Sequence, residues 1–167
     1  MKKLIVFAIA IFGFTAVSFG QVTGTATATG TIVTPIAIAN AGNMNFGNVA
    51  VSATAGTVIL APAGTRTLTG GITLPVITGT VTAAKFNVTG TANYTYSITL
   101  PTTATTVTSG GNTMTVTDFT STPTPTGLLN GSGAQEIQVG ATLNVAGSQA
   151  AGTYISGTPF EVTVNYN

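Results

Sequence analysis

From Val22 to Ile32 the chain alternates without a break. Val22, Gly24, Ala26, Ala28, Gly30 and Ile32 are apolar or tiny, and threonine fills every position between them. A period of two sorts side chains onto opposite faces of a β-strand; a helix has no such period. The rhythm returns twice. Tyr94, Tyr96, Ile98 and Leu100 alternate with Thr95, Ser97 and Thr99, and Phe160, Val162, Val164 and Tyr166 alternate with Glu161, Thr163, Asn165 and Asn167. Gly and Pro punctuate these runs, Thr, Val and Ile favour strands, and nothing after residue 20 has a helical pattern. The spacing predicts about ten short strands in two packed antiparallel sheets, an all-β sandwich.

The start of the chain follows another rule. Lys2 and Lys3 precede an apolar run over residues 4–17, and Ser18 and Gly20 occupy the −3 and −1 positions of a small-residue cleavage site. This is the order of parts in a secretory signal peptide. The run is short of the roughly 20 residues that span a bilayer. Residues 1–20 are therefore expected to be removed, leaving Gln21 first. Residues 21–35 form an N-terminal arm, and residues 36–167 the β-sandwich domain. An exported protein, held at the cell surface or released, is the expectation.

Only 4% of the 167 residues are charged, and there is no His or Cys. Past residue 20 the charged side chains are Arg66, Lys85, Asp118, Glu136 and Glu161. Nucleic-acid binding needs clustered Lys and Arg, which are missing. Without His or Cys there is no material for a Ser-His or Cys-His pair or a zinc cluster. Glu136 and Glu161 are the nearest to a glycosidase pair, but exposed strand positions are the simpler account of both. Asp118 stands alone, too little for calcium. No enzymatic chemistry, cofactor or metal is expected. Asn87-Val88-Thr89 and Asn93-Tyr94-Thr95 match the glycosylation pattern, as chance allows in so Thr-rich a chain. A nearly neutral surface repels copies of itself only weakly, which suits assembly.

Along the chain, strands are expected at residues 36–39, 44–51, 57–60, 66–68 and 72–77, with Gly70-Gly71 as a turn. Residues 81–89 and 94–100 follow, joined through residues 90–93. Ser109-Gly110-Gly111-Asn112 is a hairpin turn. Residues 121–127, with Pro123 and Pro125, read as an exposed loop. Residues 136–139 and 142–145 read as a pair of strands around a turn at Gly140, and residues 152–157 as a bend before the last strand.

The arm cannot hold strand conformation alone, because ordering its backbone costs more than burying Val22, Ile32 and a few alanines returns. Three arrangements remain open: pairing within its own domain, floating free, or adding a strand to a neighbouring copy.

Several segments together carry a family likeness. They are Phe46-Gly47, the stretch from Gly56-Thr57-Val58 to Pro62-Ala63-Gly64, Phe86-Asn87-Val88-Thr89-Gly90 and Tyr96-Ser97-Ile98-Thr99-Leu100-Pro101. Gly140-Ala141-Thr142-Leu143-Asn144-Val145, Gly152-Thr153-Tyr154 and residues 160–167 complete the set. From about Ile36 to Asn167 the chain resembles the domain-of-unknown-function 4402 family, secreted proteins of Bacteroidota type. That family is similar to chaperone–usher pilins and adhesins. The resemblance implies an immunoglobulin-like sandwich and fibre formation by strand donation, with a periplasmic chaperone and an outer-membrane usher as partners. It carries over no catalytic residue. Many pilins have a disulfide, and this chain has none.

The expectation is thus a structural, pilin-like subunit whose partners are copies of itself or related subunits. Val22, Gly24, Ala26, Ala28, Gly30 and Ile32 form the donor strand, and Phe160, Val162, Val164 and Tyr166 line the receiving groove. The alternative is a monomeric secreted module that binds a glycan or host surface. It calls for aromatic residues on a loop, and residues 121–127 hold none.

Overall fold

The structure, a computed structural model, describes residues 19–167. The signal-peptide segment falls almost entirely outside them. Residues 19–35 carry no strand, and Val22 and Ile32 are exposed. Val33–Asn167 form one compact unit, which contains all the strands.

Eleven strands and no helix make up the described residues. The larger sheet contains β1 (Ala37–Gly42), β2 (Ala50–Leu60), β3 (Arg66–Thr73), β4 (Ala84–Thr89), β6 (Thr105–Ser109), β7 (Asn112–Thr122), β9 (Ala134–Val145) and β10 (Ile155–Ser156). Its strands run in the order β1-β4-β9-β7-β6-β10, and β3 and β2 add to β9. The smaller sheet is β11-β5-β8, from β5 (Thr95–Thr99), β8 (Thr126–Leu128) and β11 (Thr163–Tyr166). All pairings are antiparallel, and the two sheets form the expected sandwich.

β9 organises the core. One flank pairs with β4 over residues 134–139 and then with β2 over residues 141–145, and β7 lies along the other flank. One end of the core joins Tyr96, Ile98 and Val164 of the small sheet, with Val162 just before β11, to Val88, Ile137 and Val139 of the large one. The other joins Val58, Ile72, Val107, Val116, Leu143 and Val145. Met44 and Phe119 pack against both clusters and make the core continuous.

Four expectations are corrected. Residues 121–127 are not one exposed loop: Ser121 and Thr122 end β7, Thr126 and Gly127 begin β8, and Ser121 and Gly127 are buried. Residues 136–145 form one strand, not two around a turn. Gly140 marks the point where β4 gives way to β2 as partner, and a Cβ there would strike the Leu60 carbonyl oxygen. A strand glycine can signal close backbone approach as readily as a turn. Gly70-Gly71 likewise lies within β3, opposite the register shift between Val51 and Gly56. The pair makes a bulge, with Gly70 at φ +64°, and no strand follows over residues 74–77. Residues 44–49 hold only an isolated bridge, Asn45 to Thr82. Gly47 sits at φ +69°, and the Arg66 guanidinium donates to the Phe46 carbonyl at 2.5 Å and the Asn48 carbonyl at 3.2 Å. The side chain of Arg66 thus supplies the order that a strand would have given.

The hairpin at Ser109 and Asn112 forms as expected. The chain changes sheet at five links, into and out of β5, into and out of β8, and into β11; two of them are residues 90–94, from β4 to β5, and residues 157–162, from β10 to β11. Before the second, the Tyr154 hydroxyl donates to the Ala150 carbonyl at 2.8 Å and accepts from Gln149 Nε2 at 2.8 Å, which secures the bend.

Candidate assembly surface

With β8 at the other edge, β11 is one of the two edge strands of the small sheet. Its partners in β5 are Thr163↔Thr99, Val164↔Ile98, Asn165↔Ser97 and Tyr166↔Tyr96. The Asn167 N–H donates to the Thr95 carbonyl at 3.3 Å. In an antiparallel ladder this parity repeats every second residue. Residues 163, 165 and 167 therefore turn their backbone groups toward β5, while Val162, Val164 and Tyr166 turn theirs outward. Among the described residues, no strand pairs with β11 on that outer side.

The remaining edges are blunted. β8 has three residues and follows Pro123 and Pro125, β10 has two residues, β3 carries the Gly70 bulge, and β1 is irregular between Asn40 and Gly42. Residues 160–167 contain no proline, glycine or lysine.

The four predicted groove residues thus lie on one segment. Val162 and Val164 are buried, and Phe160 and Tyr166 are half-buried. Phe160 packs on Phe119 and Phe86, with ring centroids 4.9 and 6.2 Å away. These side chains serve the domain's own core, so what the segment presents outward is backbone. The predicted donor residues, Val22, Gly24, Ala26, Ala28, Gly30 and Ile32, lie in the strand-free stretch.

At one end of β11 the Tyr166 hydroxyl accepts from the Thr91 N–H at 2.7 Å and donates to the Thr34 carbonyl at 2.8 Å. Thr91 Oγ1 accepts from the Thr34 N–H at 2.9 Å and donates to the same carbonyl at 3.3 Å. Both backbone groups of Thr34 are thereby engaged where the arm joins the sandwich. Gly90 is obligatory here, because a Cβ would collide with the Tyr166 hydroxyl. Neither Thr34 nor Thr91 stood out in so Thr-rich a sequence.

At the other end, residues 99–108 and 157–163 enclose an open cleft of about 710 Å³. Leu100, Pro101, Pro159 and Phe160 supply its apolar wall, and threonine hydroxyls and Glu161 its polar rim.

A polar knot ties the sheets together behind β11. Tyr96 of β5 donates its hydroxyl to Gln135 Oε1 of β9 at 2.7 Å, and the Leu128 N–H of β8 donates to the same oxygen at 2.8 Å. Burial raises the Tyr96 pKa above its ordinary value. Glu136 is exposed on the outer face, 3.2 Å from Lys85 Nζ. A hydrogen bond from Gln138 lowers its pKa, and one from Lys85 adds to the effect. Among the described residues, no group of three His, Cys, Asp or Glu could hold a metal ion, and no helix is long and apolar enough to cross a membrane.

No curated protein and no solved structure matches the chain. Residues 36–166 match the family described as "Domain of unknown function (DUF4402)", a span that runs from just before β1 to the end of β11. The chain belongs to the DUF4402 family.

Proposed function

We propose that this protein is an exported structural subunit of an extracellular fibre or surface layer, pilin-like, assembled when the arm of one copy adds a strand to the sandwich of another. The observation that carries this reading is a complementary pair of features. β11 offers an outer edge with no strand partner among the described residues, and residues 21–32 have strand alternation but form no strand. Strand addition satisfies both, because backbone hydrogen bonds supply affinity and alternate side chains supply fit. The low charge supports the same reading, since copies can approach without strong repulsion. A periplasmic chaperone that covers the edge before assembly, and an outer-membrane usher, are the partners such a subunit would need.

The test is negative-stain electron microscopy of material sheared from expressing cells, with antibody labelling. Labelled filaments that vanish when residues 21–33 are deleted would support the proposal. A bare surface, with the protein running as a compact monomer, would move the reading to a secreted surface-binding module.

A further inference from the structure

We infer that the arm of a second copy enters by the cleft at Leu100, Pro101, Pro159 and Phe160 and runs antiparallel to β11, so that copies join head to tail. This rests on the strand-donation reading and specifies its site, direction and symmetry. The arm's root, Thr34, is held at the Tyr166 end of β11, and the cleft lies at the Thr163 end. The two ends are about 10 Å apart along β11, at roughly 3.3 Å per residue. The donor and acceptor features of one copy therefore sit at opposite ends of the same strand.

The direction follows from that placement. A donor copy docked beyond the cleft has its own Thr34 on the cleft side. Its Ile32 then lies near the cleft, and its Val22 lies toward the acceptor's Tyr166. Read from residue 22 to 32, the arm runs from Tyr166 to Thr163, opposite to β11. Residues 21–32 reach about 40 Å when extended at roughly 3.3 Å each, enough to fill the cleft and cover the edge. The outward backbone groups of Val162, Val164 and Tyr166 are their hydrogen-bond partners. The arm has no charged side chain, and Glu161 is the only one among residues 160–167. Donor and acceptor surfaces differ, so the contact is heterologous; where such a contact does not close into a ring it propagates as a filament.

The chain has no cysteine, so introduced pairs report unambiguously. Three full-length double variants are oxidised after assembly and run on a non-reducing gel: Thr31→Cys with Thr163→Cys, Thr23→Cys with Thr163→Cys, and Thr31→Cys with Thr67→Cys on the edge strand β3. A disulfide needs Cα atoms within about 7 Å. The expected result is a ladder of multimers for the first pair alone. A ladder for the second pair instead would mean a parallel arm and overturn the polarity. A ladder only for the third would leave strand donation intact but move it to β3, which overturns the site. Sedimentation as a monomer with no ladder from any pair would remove strand donation itself, and this inference with it.

Discussion

The Tyr166 hydroxyl donates to the Thr34 carbonyl at 2.8 Å across 132 residues of sequence, and so ties the last strand to the root of the arm. Tyr166→Phe removes that donor and the acceptor for the Thr91 N–H, while the ring keeps its contact with Tyr94, 5.6 Å between centroids. Two hydrogen bonds worth roughly 0.5–1.5 kcal/mol each are lost. The expected outcome is a destabilisation of about 1–3 kcal/mol in denaturant melts and faster amide exchange at Thr91 and Thr34. Unchanged exchange at both would show that the latch does not hold this end.

Tyr96 predicts a pH dependence. Its folded pKa lies above its unfolded one, so the unfolded chain loses the proton first as pH rises. The contribution is complete below the unfolded value of about 10 and is lost as pH climbs through the folded value. Stability measured from pH 8 to 12 should fall more steeply for the parent than for Tyr96→Phe. The variant itself should be about 1 kcal/mol less stable at neutral pH, because Gln135 keeps its bond from the Leu128 N–H.

Gly127 packs on the Tyr96 ring so closely that a Cβ would overlap it, and Gly140 faces the Leu60 carbonyl in the same way. Gly127→Ala and Gly140→Ala should each cost about 2–3 kcal/mol by overpacking. Gly111→Ala meets no atom within 4 Å and should lie within roughly 0.5 kcal/mol of the parent. Thermal melts of the three variants check the order.

Ala28→Asp places a charge in the small-residue face of the arm. The sandwich should melt as the parent does, while multimers disappear from shear preparations. Normal fibres from this variant would contradict strand donation through that face.

Glu136 titrates with the opposite sign to Tyr96. Its folded pKa is lowered, so its contribution is present above the ordinary carboxylate value and is lost as pH falls through the folded one. The pair with Lys85 is exposed, so Glu136→Gln should change stability little and only above the ordinary carboxylate range, where the parent's carboxylate is charged, and less still in high salt; parent and variant should converge as pH falls through the folded value.

Much of this protein was legible in its sequence. Period-two alternation determined that it is all-β, and along residues 160–167 it told which side chains face inward: Val162 and Val164 are buried, and Glu161, Thr163 and Asn165 exposed. The set of segments from Phe46 to Asn167 identified the family. The scarcity of charge, with no His or Cys, limited the chemistry on offer. What alternation could not tell was pairing. A two-residue period says which face a side chain takes but not which strand lies alongside, so the joining of β4 and β2 on one flank of β9 came from tertiary structure alone. The glycines misled for the same reason: Gly140 and Gly70 read as turns, yet each is small because another backbone passes against it. The polar contact that ties β11 to the arm's root, Tyr166 with Thr34, and the one that ties β5 to β9, Tyr96 with Gln135, join residues 132 and 39 apart in sequence. Hydrogen bonds of that reach exist only once the sheets have packed; the first decided where the arm is rooted, and the strand order of the packed sheets decided which edge is left open.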